Sequence, residues 1–348
     1  MVSIIEPCLA SDETGLEKGE KWVARIVIVG AGAIGLLFAA RCRLAGLDAE
    51  LLVRRREQAE RLRSEGVQLR ESAGADAGGK RTVRMPVRLL AEASGEKEST
   101  GESALRQADY ILLAVKQTAI GEELARQIGR LAGDGGLVVC LQNGIGHIDT
   151  LEAFVPRERL LLAVTTEGAL RLSDCAVAHT GQGTTWIGTA GEGGAETAER
   201  QKKLQEMLKL AGFDAFVSNN INNRVWQKLL INAVVNPLTA ILGVKNGELL
   251  ERPEWLPLMR ELFDEGAEVA RLEGIRLQND TWEQVLNVCR RTAGNRSSML
   301  QDLMAGRPTE IQAINGGLLA LASRHGIELP ANQAVYRLVK AMERRPNA

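Results

Sequence analysis

Apolar residues follow two different spacings along the chain. Up to about residue 218, short β-branched apolar runs alternate with stretches in which apolar residues recur at helical spacing. This alternation predicts parallel strands joined by helices, in a doubly wound α/β domain at 24–218. From 219 to 348 the spacing is helical throughout, which predicts an all-helical second domain. Residues 1–22 are predicted to be an N-terminal extension to these two domains.

The first strand and the first helix enclose a glycine-rich turn. The strand is Trp22 to Val29, and a second strand, Ala49 to Val53, follows the helix, for which Gly46 is the predicted C-cap. The turn consists of Gly30, Ala31, Gly32, Ala33, Ile34 and Gly35. Glycines at this spacing let the backbone approach a pyrophosphate, and the helix N-terminus offers free N–H groups. We therefore predict a Rossmann-type dinucleotide site rather than a purely structural turn.

Three consecutive arginines follow the second strand. A chain that binds NAD usually carries an acidic residue there, which holds the ribose 2′-hydroxyl. Arg54 stands at this position instead, and a guanidinium fits the 2′-phosphate of NADP. Glu50 lies inside the strand and Glu57 opens the next helix, so neither replaces the acid. The arginines favour NADP(H), and we expect one or two of them to be solvated surface charges.

Two further apolar runs end at polar residues. Tyr110 to Val115 leads into Lys116, and Gly136 to Leu141 leads into Asn143. Ligands of open α/β sheets bind at the carboxyl ends of the strands, so Lys116 and Asn143 are expected in the same crevice as the glycine turn. The alternatives are a surface lysine at the start of a helix and a simple Asn-Gly turn.

A polar ladder crosses a segment that otherwise has the pattern of a buried helix. Lys228, Asn232 and Asn236 are four residues apart, among apolar neighbours. Side chains at this spacing share one helical face, and a lysine in apolar surroundings is costly unless it meets water, a charge or a ligand. The ladder suits a small, oxygen-rich molecule, and the alternative is a face turned to solvent. For Asn236, a further alternative is the cap of a helix break before Pro237.

A second polar group lies near the C-terminus, at Ser297, Ser298 and Glu310. Either serine can cap a helix, with Gln301 completing a capping box from Ser298. Glu310 can favour a helix start after Pro308. Local rules therefore explain these residues without a ligand, and only a wider resemblance gives them a role in a site.

Two segments of the first domain carry weaker structural signals. The stretch from Ser72 to Ala104 is rich in small and charged residues, and is predicted as a surface excursion with a strand at Val83 to Leu89. Ala176 to Gly188 has the pattern of two short strands around a glycine turn.

Composition narrows the classes of function. Aromatic residues make up 3% of the chain and the net charge is −1, which disfavours nucleic acid and anionic membranes as partners. The five cysteines lack metal-binding spacing and indicate a reducing compartment. The three histidines form no ligand cluster, which disfavours a metal site and a histidine-based dehydrogenase, although His147 lies close to Asn143. No signal peptide or membrane span is predicted, so a cytoplasmic location is expected.

Together these motifs resemble the ketopantoate reductase (2-dehydropantoate 2-reductase) family. The resemblance runs from about Arg25 to about Lys340. It rests on GAGAIG at 30–35, AVK at 114–116, QNGIG at 142–146, KLLINAVVNPLTAI at 228–241, NGEL at 246–249 and SSMLQDLMAGRPTEI at 297–311. The last segment and the Lys-Asn-Asn segment are specific to this family and its close relatives, whereas the glycine motif is not.

The resemblance implies a role for each matching residue. It implies contacts to the cofactor from Gly30, Ala31, Gly32, Ala33, Ile34, Gly35, Arg54, Lys116, Asn143, Ala169 and Glu310. It implies that Lys228 is the proton donor, with Glu310 as the second catalytic residue. It implies that the substrate is held by Asn143, Lys228, Asn232, Asn236, Asn246 and Ser298.

The implied activity is NADPH-dependent reduction of ketopantoate to pantoate, in pantothenate and coenzyme A biosynthesis, without a metal. One alternative is a reductase of the same superfamily that acts on another 2-oxo acid. A second is a non-catalytic NADP(H)-binding regulator, which the loss of Lys228 or Glu310 would have favoured; both are present. A homodimer is compatible with these features.

Overall fold

The computed structural model describes residues 24–71, 79–93 and 107–343. The extension predicted at 1–22, and residues 72–78 and 94–104 of the predicted excursion, lie outside this part of the chain. The strands are β1 Arg25–Val29, β2 Asp48–Val53, β3 Val67–Glu71, β4 Lys80–Val83, β5 Val87–Leu89, β6 Tyr110–Leu113, β7 Leu137–Cys140, β8 Leu160–Thr165, β9 Gly168–Arg171, β10 Ala176–Gly181, β11 Thr184–Thr189 and β12 Asp214–Val217. The α-helices are α1 Ala33–Leu44, α2 Arg56–Glu65, α3 Leu90–Ala93, α4 Glu122–Ala132, α5 His147–Leu151, α6 Ala195–Leu210, α7 Ile221–Leu242, α8 Leu256–Leu272, α9 Thr281–Arg291, α10 Ser298–Met304, α11 Asn315–Arg324 and α12 Pro330–Glu343.

The main sheet is the predicted doubly wound one. Its strand order is β12-β11-β8-β7-β6-β1-β2-β5, and all neighbours are parallel except β8 and β11. The chain leaves β1 towards β2 on one side and later returns to β6 on the other. The order therefore reverses beside β1, where sheets of this kind bind their ligands. The glycine turn lies at this point.

Alternation of side chains along β1 explains why this strand is central. Ile26 and Ile28 belong to the core shared with α1 and α6. Val27 and Val29 belong to a second core, shared with α4 and α5. Successive side chains of a strand point to opposite faces of the sheet, so a continuous apolar run is buried on both faces. This is why the strand was recognisable from its sequence.

A smaller sheet, in the order β4-β3-β10-β9, packs against α1. The two strands predicted at Ala176 to Gly188 are confirmed as β10 and β11, but they belong to different sheets. The single strand predicted at Val83 to Leu89 is wrong. Val83 ends β4 in the small sheet and Val87 begins β5 in the main sheet, with Pro86 between them. Proline has no N–H to donate, so a continuous strand is disfavoured there.

The C-terminal region is helical, as predicted, and α7 is its central element. This helix contacts α8, α9, α10 and α12, as well as β8 of the main sheet. In the described part of the chain it is the one helix that is long and apolar enough to cross a membrane, but 61% of its apolar window is buried inside the fold. Packing on several sides accounts for its apolar composition.

Helix α7 continues through Pro237, so the break considered before this proline does not occur. The proline has no N–H for the carbonyl of Ala233, one turn earlier. The side-chain amide of Asn315 donates to that carbonyl instead, at 3.0 Å. The hydroxyl of Thr239 also donates to the carbonyl of Val235, at 2.7 Å. The Asn315 side chain thus replaces the backbone bond lost at the proline, and Asn236 is not needed as a cap.

Candidate active site

The glycine turn forms an open cradle at the end of β1. Gly30 has φ +107°, and a Cβ there would lie 2.8 Å from Val115 Cγ1. A Cβ on Gly35 would lie 1.8 Å from the carbonyl oxygen of Gly30. Only glycine fits at either position, and α1 begins at Ala33 without a side-chain cap on its N–H groups. The residues present therefore fit a bound pyrophosphate.

The three arginines after β2 have different surroundings. Arg54 is exposed, and no partner for it occurs among the described residues. Arg55 forms an ion pair with Asp174 at 2.5 Å, and Arg56 opens α2. Glu50 is buried in β2 and paired with Arg25, which makes it unavailable to a ribose. Arg54 directly follows the end of β2, and its side chain has no partner among the described residues.

Lys228 faces the carboxyl end of β8 from α7. Its side chain is partly buried, and Nζ donates to the carbonyl oxygen of Thr165 at 2.8 Å. Burial lowers the pKa of Lys228 to about 8, while the negative charge of Glu310 opposes this shift. Ala169 follows in β9, a few residues beyond this carbonyl. The polar face of α7 therefore turns towards the sheet at Lys228 rather than to open solvent.

Asn143 and Glu310 meet across the same region. The Asn143 side-chain amide donates to a Glu310 carboxylate oxygen at 2.9 Å. Behind them, the backbone N–H of Ile145 donates to the carbonyl of Ala313 at 3.2 Å. Glu310 lies in a turn rather than at the start of a helix, since α11 begins only at Asn315. The structure thus joins the turn after β7 to the turn before α11.

Lys116 reaches the helical region as well. Its Nζ donates to Asp302 Oδ2 and to the carbonyl of Pro308, both at 2.7 Å. Asp302 also accepts from Arg307 at 3.0 Å. Asp302 and the Thr165 carbonyl are contributors that sequence reasoning missed. Asp302 lies in the segment 297–311, which resembles the family, so its sequence could have indicated a role. A backbone carbonyl gives no such indication, because every residue has one.

The asparagines expected to hold the substrate differ in their burial and in their hydrogen bonds. Asn232 is half-buried and Asn236 buried, and neither side chain bonds to another residue of the described chain. Asn246 donates to the Thr292 hydroxyl at 2.8 Å, and its buried Oδ1 has no partner within the same residues. The two free asparagines of α7 leave donors and acceptors available to a ligand.

The structure shows that Ser297, and not Ser298, caps α10. Ser297 caps α10 by accepting from the N–H of Leu300, and its hydroxyl oxygen lies 2.7 Å from that of Thr239. Ser298 is the first residue of α10 and is exposed. The capping box considered from Ser298 is absent, because Gln301 donates to the carbonyl of Arg296. Ser298 is consequently free of a capping role.

His147 lies on the other side of the Asn143 turn, at the start of α5. It is 4% exposed, and neither ring nitrogen has a partner in the described chain. Burial lowers its pKa to about 4, so the ring is neutral at neutral pH and is poorly suited to donate a proton. It lines a cavity of about 700 Å³ with Trp226 and Gln312. Trp226 projects from α7 about 200° away from Lys228, and the residues that line this cavity do not include Lys228, Asn143 or Glu310.

Comparisons with known proteins show the family of this chain. The sequence profile described as "Ketopantoate reductase PanE/ApbA" matches residues 26–192, and its C-terminal counterpart matches residues 220–343. The 2-dehydropantoate 2-reductase of Archaeoglobus fulgidus is 32% identical over 92% of this chain and 98% of its own.

Solved structures give the same result. A ternary structure of D-mandelate dehydrogenase with NADH and anilino(oxo)acetate has a TM-score of 0.79, at 29% identity, covering 92% of this chain and 98% of that one. A PanE/ApbA family ketopantoate reductase from Ralstonia eutropha has a TM-score of 0.78, at 25% identity, with the same coverage of both chains. The chain therefore belongs to the ketopantoate reductase family of oxidoreductases.

Proposed function

We propose that the protein reduces ketopantoate to pantoate with NADPH in the cytoplasm, as a step of pantothenate biosynthesis. The observation that carries this proposal is the Lys228 ammonium group. It is partly buried, has a pKa lowered to about 8, and feels the negative charge of Glu310 at the carboxyl end of the sheet that carries the glycine turn. A lysine tuned in this way is suited to give up a proton near neutral pH.

The cofactor assignment uses residues that follow four strands, β1, β2, β6 and β7, together with Ala169 and Glu310. The turn Gly30–Gly35 would hold the pyrophosphate, and Arg54 the 2′-phosphate that distinguishes NADPH from NADH. Lys116, Asn143, Ala169 and Glu310 would face the nicotinamide half. When bound, NADPH supplies the hydride that reaches C2 of the substrate. Lys116 and Asn143 would exchange their present contacts with Asp302 and Glu310 for ligand contacts, or share them.

Lys228 would act on the substrate carbonyl oxygen. An ammonium group has three N–H donors, and one already bonds to Thr165. The other two can stabilise the negative charge that grows on the oxygen, and one of their protons is then transferred. Burial favours the neutral amine that remains, and Glu310 favours its reprotonation. Asn232, Asn236, Asn246 and Ser298 would hold the rest of the substrate.

The pH dependence of reduction should report Lys228. The protonated lysine is the active form, so kcat/KM should be constant below about pH 8 and fall above it. Because the Glu310 carboxylate raises this pKa, the Glu310→Gln variant should show the fall at lower pH. Profiles of kcat/KM against pH for the two proteins make the comparison. A fall at the same pH in both would contradict the coupling between Lys228 and Glu310.

Asn236→Ala should raise KM for ketopantoate and leave NADPH affinity nearly unchanged. Asn236 is buried with an unbonded amide, so the substrate would be its partner. Loss of such a partner costs about 1–3 kcal/mol, or roughly 5- to 150-fold in kcat/KM. Because Asn236 caps no helix break, Tm should change little. Asn315→Ala is the control for helix damage and should lower Tm, since it leaves the Ala233 carbonyl unbonded. A lower Tm with unchanged KM in Asn236→Ala would refute the substrate contact.

The likeness to D-mandelate dehydrogenase favours a second candidate substrate class. A direct assay distinguishes the two classes. Mandelate is a 2-hydroxy acid with an aromatic side chain, so the same hydride chemistry could serve an aryl 2-oxo acid in this chain. NADPH oxidation should be measured with ketopantoate, with benzoylformate and with an unbranched 2-oxo acid. The highest kcat/KM should belong to ketopantoate. A higher value for benzoylformate would reject the substrate and retain the reaction type, and no turnover with any of them would favour a non-catalytic role.

A further inference from the structure

A buried group of ionisable side chains contacts the segment 165–169, in which the Thr165 carbonyl accepts from Lys228. His179 in β10 is 1% exposed, and its ring lies between two carboxylates. Nδ1 is 2.8 Å from Glu71 of β3, and Nε2 is 2.7 Å from Glu167, which follows β8. Arg41 of α1 approaches both Glu71, at 3.2 Å, and Nδ1, at 3.0 Å. Residues far apart in sequence thus meet in one buried cluster.

Both ring nitrogens of His179 have hydrogen-bond partners. Nδ1 has both a donor, Arg41, and an acceptor, Glu71, within reach. Nε2 faces Glu167, and in the tautomer with a proton on Nε2 this N–H donates to the Glu167 carboxylate. This bond satisfies one oxygen of Glu167, and the other is buried without a partner among the described residues. The position of Glu167 therefore depends on His179.

Backbone pairing with His179 also fixes the residues that follow Glu167. In the β9–β10 ladder, His179 pairs with Ala169, two residues after Glu167. The N–H of Glu167 donates to the Thr165 hydroxyl at 3.2 Å, and the Thr185 hydroxyl donates to the same oxygen at 3.0 Å. The segment 165–169 is thus fixed at several points. At its start, the Thr165 carbonyl accepts from Lys228.

We propose that Glu167 and His179 are positioning residues for the reaction. They fix the segment 165–169, so that the Thr165 carbonyl orients the Lys228 ammonium group. This inference rests on the function proposed above, in which Lys228 donates the proton. Catalysis is sensitive to small displacements, and a shift of about 1 Å from a change remote from the chemistry can cost roughly 100-fold. Neither residue touches the substrate oxygen in this scheme, and both act through Lys228.

A double-mutant cycle separates positioning from general stability. We expect Glu167→Ala to lower kcat roughly 10- to 100-fold in the otherwise unchanged protein. In the Lys228→Ala background the same change should have almost no further effect, because the group being positioned is gone. Glu167→Gln keeps an oxygen that can accept from His179, and should recover part of kcat. In both backgrounds kcat is measured at saturating NADPH and ketopantoate.

The matched control is Glu50→Ala. Glu50 is also a buried carboxylate in an ion cluster, with Arg25 and Arg88, but it lies within β2, away from Lys228. It should lower Tm without lowering kcat. An equal loss of kcat from Glu167→Ala in both backgrounds, or none in either, would overturn the inference. If Glu167→Ala does not fold, His179→Gln is used in the same cycle with the same expectations.

Failure of the wider proposal has a different signature. If Lys228→Ala alone leaves kcat unchanged, Lys228 is not the proton donor and the proposed mechanism is wrong. If Lys228→Ala lowers kcat and no coupling to Glu167 is found, the mechanism stands and the positioning role is wrong.

Discussion

Lys228→Ala should lower kcat by about 10²- to 10⁴-fold at saturating ketopantoate, while NADPH still binds. The ammonium group lies at the carboxyl end of β8 and is fixed by the Thr165 carbonyl, and alanine removes both the positive charge and the proton. The glycine turn and Arg54 belong to other elements, so the cofactor contacts expected there remain. Single-turnover rates and NADPH titration measure the two quantities separately.

Two further variants define what Lys228 supplies. Lys228→Arg retains a positive charge, but a guanidinium does not release a proton in proteins. The kcat of Lys228→Arg should therefore stay close to that of the Lys228→Ala variant. Recovery of most of kcat by arginine would mean that charge alone suffices. Lys203→Ala, at an exposed position of α6, is the control and should not change kcat. A near-normal kcat in Lys228→Ala would reject the proton donor.

Local patterns were sufficient for the central parallel strands β1, β2, β6 and β7. The apolar runs at β1, β6 and β7 are buried on both faces, and the glycine motif follows the first of them. These features are encoded in neighbouring residues, which makes them legible in a single sequence. The position of Lys116 and Asn143 at one edge then followed from the rule for strand ends.

Contacts between distant segments could not be predicted in the same way. The small sheet pairs β3 with β10, more than a hundred residues apart, and nothing in either strand names its partner. The proline in α7 suggested a break, because local rules do not include the amide of Asn315 that replaces the lost bond. In both cases a tertiary contact overrides a local preference.

The candidate site shows the same division. The family resemblance pointed to Lys228 and Glu310, and in the structure burial lowers the pKa of Lys228 while the negative charge of Glu310 raises it. The contact of Lys116 with Asp302 was not predicted, because it depends on how the sheet and the helices pack. The Thr165 carbonyl lay beyond any side-chain pattern, since every residue has one.

Arg54→Ala should weaken the binding of NADPH by roughly 10- to 150-fold and leave the binding of NADH nearly unchanged. A hydrogen bond to a charged group contributes about 1.5–3 kcal/mol, which gives that range. Arg54 lies at the end of β2 with an exposed side chain, where a ribose 2′-phosphate would be met. Dissociation constants for both cofactors, measured on the same preparation, test the difference. Equal weakening of NADPH and NADH would assign Arg54 a structural role.

The neighbouring arginine provides the matched control for cofactor choice. Arg55 is next in sequence and equally charged, but Asp174 already pairs with it at 2.5 Å. Arg55→Ala should therefore change NADPH affinity much less than Arg54→Ala. The opposite ranking would mean that the phosphate displaces Asp174 from Arg55. Because the D-mandelate dehydrogenase neighbour was solved with NADH, this comparison decides whether strand β2 of this chain ends in a selective phosphate contact or in surface charge.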